Sequence, residues 1–320
     1  MQTALEKKSA GAELTTAFAS DLDAALGLAR RSASSATATA YQGDWAAFES
    51  YAGAAGESVA DPACVAAFVA SMVREGKSAA TIARRIAGIR AGYRARGMED
   101  CTRADIVGRA VAGARRDLGT KQAAKTALTG EQLRSALGTM QGSDTATTRN
   151  RALLLLGWNM AARRSELVAL QWSDIEWTPT GLLVTIRRSK TDQTGEGRIV
   201  GVPVGRDPLT CPARALAAWQ AACNETAGPI WRAVARSGRI LEPLTAQSVC
   251  AIVKAAAASI GQDPAAFGGH SLRSGMVTTA FAAGVSESAI QRQTGHKNLT
   301  VLRHYNQANP LVGNAAAGLL

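Results

Sequence analysis

Between Gly119 and Thr129 the chain loses the apolar periodicity that it shows on either side. This stretch is polar and carries Lys121 and Lys125, a composition typical of a connection between domains. A chain of 320 residues also exceeds the usual size of a single hydrophobic core. We therefore predict two domains, joined by a linker over residues 119–129.

The segment before this linker has apolar residues at helical spacing. They predict three amphipathic helices, marked by residues 41–52, 65–73 and 82–93, and a fourth over residues 106–114. The Ala/Ser/Thr-rich start is expected to be a flexible arm. We assign residues 1–36 to that arm and residues 37–118 to a helical domain.

The segment after the linker mixes helical and strand patterns. Apolar residues at Leu182, Val184 and Ile186 alternate with their neighbours and predict a strand, with residues 199–204 as its return partner. The turn-rich residues between the two strands predict a hairpin loop that carries Lys190. Helices are predicted over residues 149–158, 212–223, 245–260, 272–283 and 286–293, and as a short helix that carries Arg163 and Glu166. The predicted fold class is mainly α with a small β-sheet (α+β), with residues 130–320 forming the second domain and its C-terminal tail.

Charge is unevenly distributed along the chain. The net charge is +11 and the isoelectric point is about 9.9. Residues 74–116 carry 11 Lys/Arg against 4 Asp/Glu, and residues 118–320 carry 21 against 12, whereas residues 1–73 are acidic. Two basic blocks indicate a polyanionic partner held from two sides, and double-stranded DNA is the partner we expect.

The chain has five cysteines, an odd number, and they are scattered along the sequence without a Cys-x-x-Cys pair. This argues against a disulfide framework or a zinc site and favours a reducing cytoplasm. No apolar run approaches the roughly 20 residues that span a bilayer, so we expect no membrane partner. We also predict no metal and no cofactor, because neither a carboxylate cluster nor a phosphate-binding Gly-rich loop is evident.

The second basic block contains residues suited to reaction at a phosphodiester. The arginines of Arg163-x-x-Glu166 and His270-x-x-Arg273 can hold non-bridging phosphate oxygens in charge-assisted hydrogen bonds. Histidines and a lysine can move protons, and a tyrosine phenol can act as a covalent nucleophile. The side chains concerned are Arg163, Glu166, Lys190, His270, Arg273, His296 and Tyr305.

The order Arg, Lys, His-x-x-Arg, His, Tyr resembles that of the tyrosine recombinases, the phage integrase family, and within it the Cre-like and Xer-like enzymes. The resemblance covers residues 37 to about 310. Tyr305 follows His296 by nine residues, the family spacing. Met160-Ala161-Ala162 departs from the Thr-Gly that the family usually places before its first arginine. Since Arg163 and Arg164 differ by about 100° around a helix, only one of them is expected to face the site.

This resemblance implies a site-specific DNA recombinase that cleaves and rejoins strands through a 3′-phosphotyrosine, without metal or ATP. Arg163, Arg273 and His296 would hold the phosphate, while His270 would assist proton transfer. Tyr305 would attack phosphorus as Lys190 protonates the leaving 5′-oxygen, and Glu166 would orient one of these groups from behind. The resemblance further implies a helical domain that clamps DNA, a homotetramer on DNA with a dimer on each full site, and a nucleoid-associated cytoplasmic location.

Several basic residues near the linker are candidate DNA contacts. A single exposed arginine is usually a solvated surface residue, but a cluster inside a basic block favours phosphate contact. The candidates are Arg84, Arg90, Arg94, Arg115, Arg116 and Lys121.

Two other readings stay open. A type IB topoisomerase or telomere resolvase would share this chemistry without exchanging strands between partners. A non-catalytic DNA-binding relative would have no reason to keep all six of the Arg, Lys, His and Tyr residues. A phosphatase of the Cys-x5-Arg type lacks its motif here.

Overall fold

The computed structural model describes residues 16–31, 35–119, 125–187, 197–296 and 302. The chain divides into two compact units, residues 1–123 and 124–320. Lys121, Lys190 and Tyr305, together with residues 311–320, lie outside the described residues. No helix in the described ranges is long and apolar enough to cross a membrane.

The described part of the first unit is helical. Its helices are α1 Thr16–Arg31, α2 Ser35–Ala55, α3 Pro62–Arg74, α4 Ala79–Arg96 and α5 Asp105–Leu118. Asp61 caps α3 ahead of a proline at its first position, Ser78 caps α4, and Gly97 ends α4 in the left-handed conformation. The four predicted helices are present. Within the predicted arm, residues 16–31 form the helix α1, which the sequence analysis did not predict, from an Ala- and Leu-rich sequence of high helix propensity.

Aromatic side chains hold the first unit together. Trp45 and Tyr93 meet edge to face with ring centroids 5.1 Å apart, and Phe48 packs beside both. Gly92 allows this contact, because a Cβ there would lie 2.1 Å from the Trp45 ring. The same apolar residues that predict the helices therefore form their common core.

The second unit combines helices with two small antiparallel sheets. The helices are α6 Gly130–Thr139, α7 Thr145–Asn159, α8 Arg164–Val168, α9 Pro212–Cys223, α10 Ala246–Ala258, α11 Ser271–Ala282 and α12 Glu287–Thr294. The strands are β1 Ile175–Thr178, β2 Gly181–Ile186, β3 Arg198–Pro203, β4 Arg232–Val234 and β5 Ile240–Pro243. β1, β2 and β3 form one sheet in that order, with Leu182 opposite Val202, and β4 pairs with β5. The predicted hairpin strands are confirmed as β2 and β3, whereas β1, β4, β5 and α6 were not predicted.

The linker predicted over residues 119–129 is too long at its C-terminal end. The backbone N–H of Thr126 donates to the carbonyl of Ala266, and that of Leu128 donates to the carbonyl of Ser271, both at 2.9 Å. Leu128 is fully buried, and Thr129 caps α6. Residues 125–129 thus belong to the second unit, held by backbone hydrogen bonds that a polar composition does not reveal.

Candidate active site

Glu166 is the anionic centre of an arginine cluster in the second unit. Its side chain is 1% exposed, and its Oε1 accepts from Arg163 Nη1 at 2.5 Å. Its Oε2 accepts from the Arg163 backbone N–H at 3.1 Å and lies 3.4 Å from Arg198 Nη2. Arg163 stands at the N-cap of α8, so the backbone and the side chain of one residue both hold this carboxylate. Glu166 therefore holds both the backbone and the side chain of Arg163 in place.

Arg163 and Arg164 face different surroundings. Arg164 directs Nη1 toward Cys250 Sγ at 3.3 Å and packs its aliphatic part against Gly269. A Cβ at residue 269 would lie 2.9 Å from Arg164 Cδ, so glycine is needed for this contact. Of the two neighbours, Arg163 is the one placed with Glu166.

Arg273 and His296 form a second, buried pair. Arg273 is 1% exposed on α11, and its Nη2 lies 3.0 Å from His296 Nε2. Its Nη1 donates to the carbonyl of Ala161 at 2.8 Å. His296 Nδ1 lies 2.7 Å from the hydroxyl of Thr294. The arginine and the histidine predicted from separate motifs are thus in direct contact.

Ala161 adopts the left-handed conformation, with φ of +48°. A non-glycine residue rarely does so, because its Cβ crowds the backbone. This turn follows α7 and presents the Ala161 carbonyl to Arg273. At this departure from the family's usual Thr-Gly, Ala161 therefore makes a left-handed turn without a glycine.

Both histidines of the site favour the neutral form. The pKa of His296 falls to about 4, because burial disfavours the charged ring and Arg273, Arg163, His270 and Arg198 repel it. The pKa of His270, at the N-terminus of α11, also lies below its ordinary value. Desolvation is the main cause, followed by repulsion from Arg273, Arg163 and Arg164. Neutral imidazoles can accept protons at physiological pH.

Arg198 is a site residue that the sequence prediction missed. Besides approaching Glu166, it donates through Nη1 to the carbonyl of Gln293 at 2.7 Å, and so joins β3 to the last turn of α12. Burial lowers its pKa, although a guanidinium stays protonated at neutral pH. The one signal in the sequence is a basic residue at the start of the return strand, where it interrupts an apolar pattern.

The candidate DNA contacts of the first unit differ in their surroundings. Arg84 is paired with the buried Asp44 at 2.5 Å, and Arg90 lies 3.4 Å from Asp100, although both side chains stay nearly half exposed. Arg94 is exposed. Arg115 and Arg116 are likewise exposed at the end of α5. Arg84 and Arg90 therefore make contacts within the unit itself, which the sequence did not indicate.

The placements of Lys190, Tyr305 and Lys121 lie outside the described residues. Leu302, three residues before Tyr305, is described and fully buried in an apolar cluster with Ala161, Val277 and Ile290.

Comparison with known sequences gives a consistent result over most of the chain. Residues 126–311 match the Phage integrase family, and residues 26–100 match the Phage integrase N-terminal SAM-like domain. A curated relative, the "Integrase/recombinase xerD homolog" of Selenomonas ruminantium, is 31% identical over 286 residues, which cover 87% of this chain and 84% of the relative.

Solved structures share the fold at lower sequence identity. A lambda integrase dimer bound to a COC′ core site matches with a TM-score of 0.61 and 19% identity, covering 87% of this chain and 90% of that one. The XerH site-specific recombinase bound to a palindromic difH substrate, in a post-cleavage complex, matches with a TM-score of 0.56 and 20% identity, covering 78% of this chain and 69% of that one.

Proposed function

Because this chain belongs to the phage integrase family and is a site-specific DNA recombinase, we propose that it cleaves and rejoins DNA through a covalent 3′-phosphotyrosine at Tyr305. The observation that carries this proposal is the arginine cluster of the second unit. Arg163 and Arg198 share one carboxylate, Glu166, and Arg273 contacts His296, whose pKa the positive charges of all three arginines help to lower. A phosphodiester is the anion that such a site suits.

The roles of the individual groups follow from their chemistry. Arg163, Arg273 and His296 form the phosphate-binding side and stabilise the additional charge of a pentacoordinate transition state. The Tyr305 oxygen bonds to phosphorus and its proton passes to neutral His270. The bond from phosphorus to the 5′-oxygen breaks, and that oxygen takes a proton from Lys190. Glu166 orients Arg163. The retained phosphodiester energy allows a 5′-hydroxyl of a partner strand to reverse the step.

The arginines supply the electrostatic stabilisation that a divalent ion provides in many nucleases. The proposed reaction therefore needs neither a metal nor ATP. We further propose that the protein acts in the cytoplasm at the nucleoid, with a dimer on each full site and a homotetramer joining two sites. Mass measurement of complexes on half, full and paired sites tests this stoichiometry.

The decisive experiment traps the covalent intermediate. A nicked suicide substrate that loses a short 5′-hydroxyl fragment after cleavage should accumulate a protein–DNA adduct, in excess EDTA as well. Tyr305→Phe should abolish the adduct and leave DNA affinity nearly unchanged, because only the nucleophilic oxygen is lost. Adduct formation within tenfold of wild type by this variant would exclude Tyr305 as nucleophile. Strand exchange between two intact sites, as opposed to relaxation of one duplex, separates recombination from topoisomerase-like or resolvase activity.

A further inference from the structure

The strands β2 and β3 are held closely at the end where residues 188–196 connect them. At this end, which we call the hairpin base, Ile186 of β2 pairs with Arg198 of β3. Gly197 lies beside this pair in the left-handed conformation, and a Cβ there would lie 3.1 Å from the carbonyl oxygen of Ile186. Arg198 Nη1 donates to the carbonyl of Gln293 at 2.7 Å. At the hairpin base, β3 is therefore attached to α12.

Arg187 attaches β2 on the other side of the hairpin base. It is the first residue after that strand, and its side chain is 51% exposed. Its guanidinium nevertheless has two partners on consecutive residues. Nε donates to Asp174 Oδ1 at 2.6 Å, and Nη2 donates to the hydroxyl oxygen of Ser173 at 2.8 Å. Two such hydrogen bonds fix both the position and the plane of a guanidinium.

Asp174 is itself held in place. Its side chain is 4% exposed, and it ends the short 3₁₀ helix Trp172–Asp174. Oδ2 accepts from the backbone N–H of Gln171 at 2.9 Å, so both carboxylate oxygens have donors. An unpaired buried carboxylate is costly, which favours retention of the ion pair with Arg187. The end of β2 is thereby attached to a buried part of the second unit.

We propose that Arg187 is a positioning residue for the proposed general acid. Bound to the buried Asp174, it fixes the point at which the chain leaves β2, three residues before Lys190. Donation of a proton to the leaving 5′-oxygen requires hydrogen-bond reach, and a displacement of about 1 Å can slow a reaction by about 10²-fold. The inference rests on the proposed function, in which Lys190 gives that proton as the P–O bond breaks.

Direct contact with a DNA phosphate is the competing role for a half-exposed arginine. Such a contact contributes about 1 to the log–log salt slope, and its loss lowers affinity. Positioning instead affects the cleavage rate and leaves affinity unchanged. The contacts of Arg187 favour positioning, because its Nε and Nη2 both donate within the protein.

The first test measures the attachment of β2 without cleavage. In Arg187→Gln, in the full chain without DNA, we expect the backbone amides of β2 and β3 near the hairpin base to exchange hydrogen roughly threefold faster or more. The amides of α7 should exchange as in wild type. Unchanged exchange at the hairpin base would overturn the proposal, whether or not the protein cleaves DNA.

The second test compares cleavage of ordinary and sulfur-containing DNA. For Arg187→Gln we expect the cleavage rate at saturating DNA to fall at least about tenfold, with unchanged affinity and salt slope. On a substrate with a bridging 5′-phosphorothiolate, whose sulfur leaves without protonation, this variant should approach the wild-type rate. Arg187→Lys, which keeps a cation for Asp174, should recover most of the rate on ordinary DNA.

Arg232→Gln is the matched control, because Arg232 pairs with Glu225 at 3.8 Å and lies in the other sheet. It should cleave both substrates at the wild-type rate. An unchanged rate of folded Arg187→Gln on ordinary DNA would overturn the proposal, as would a defect that sulfur rescues in Lys190→Ala but not in Arg187→Gln. Weaker binding with a salt slope reduced by about 1 would assign Arg187 to a DNA phosphate instead. If sulfur rescues neither variant, the proposed role of Lys190 is wrong, and the positioning role fails with it.

Discussion

At the scale of single residues, one carboxylate organises most of the charge in the site. The carboxylate of Glu166 is fully buried. One of its oxygens accepts a hydrogen bond from Arg163, and the other lies close to Arg198. A buried carboxylate flanked by two guanidiniums is stable only while its partners remain, because an unpaired buried charge is costly. The arginines are thereby held in place before DNA arrives, so little reorganisation is needed on binding.

Protonation of His296 should make stability depend on pH. Its pKa is about 4 in the folded protein and about 6.5 when unfolded, so the unfolded state binds the proton first as pH falls. Above pH 6.5 the ring is neutral in both states, and the free energy of unfolding does not change with its protonation. Between pH 6.5 and 4 the unfolded state binds the proton and the folded state does not, so this residue lowers the free energy of unfolding by about 3 kcal/mol in total. Denaturant unfolding across this range should show a smaller loss for His296→Gln than for wild type. Parallel curves for the two proteins would contradict the assignment.

The proposed general acid can be tested by changing the leaving group. An ammonium with an ordinary pKa near 10 is protonated at pH 7 and ready to donate. Lys190→Ala should slow cleavage by roughly 10² to 10⁴. On a substrate with a bridging 5′-phosphorothiolate, whose sulfur leaves without protonation, Lys190→Ala should approach the wild-type rate. Arg273→Ala is the control and should stay defective; failure of sulfur to rescue Lys190→Ala would place the acid elsewhere.

At the scale of secondary-structure elements, the site depends on the close approach of backbone segments. α11 carries Arg273, and residues 126–129 cross it at Gly275, where a Cβ would lie 1.7 Å from the carbonyl oxygen of Leu128. At Gly157 a Cβ would lie 2.8 Å from Leu167 and 3.0 Å from Leu272, so this glycine allows α7 to pack closely against α8 and α11. Small residues thus bring the two arginine-bearing helices onto one core.

Gly275→Ala should therefore be strongly destabilising. The added methyl meets backbone atoms, which cannot move aside as a flexible side chain can, and we expect a loss of about 3 kcal/mol or more. Gly138→Ala on α6 is the matched control, since nothing lies within 4 Å of its Cβ position. It should be neutral or stabilising by up to about 1 kcal/mol. Thermal unfolding midpoints measure the difference in stability between the two variants. Equal midpoints would argue against the close approach of α11 to Leu128.

At the scale of the whole molecule, the basic blocks are divided between two compact units. Electrostatic attraction to the DNA backbone accounts for much of the affinity of such proteins and weakens with salt through counterion release. Because Arg84 and Arg90 are paired with Asp44 and Asp100, their reversal would disturb the first unit as well as any DNA contact. Reversal of exposed arginines tests DNA contact without this disturbance of the first unit.

Binding should fall steeply with salt, with a log–log slope of at least about −5 if six or more phosphates are neutralised. Reversing Arg94, Arg115 and Arg116 to Glu should weaken binding strongly and lower the magnitude of that slope by about 2 to 3. Arg236→Glu, at an exposed position between β4 and β5, is the control for a change in net charge. Filter binding at several salt concentrations measures both quantities. An unchanged slope in the triple variant would show that this surface does not face DNA.

Most of the helices and the motif residues of the site could be predicted from the amino-acid sequence. Helical spacing of apolar residues identified α2 to α5, and alternation identified β2 and β3, because both periods are local properties of the chain. The motif residues Arg163, Glu166, Arg273 and His296 were found from spacing and resemblance, and the structure brings them into two contacting pairs.

The contacts of each charged group became evident only from the packing of the folded chain. Arg198 contacts the buried carboxylate of Glu166, which is 32 residues away in sequence. Arg84 pairs with Asp44, which is 40 residues away. The packing of residues 125–129 depends on backbone hydrogen bonds to Ala266 and Ser271 that no local pattern encodes. Such long-range pairings depend on how elements pack, and periodicity carries no information about them.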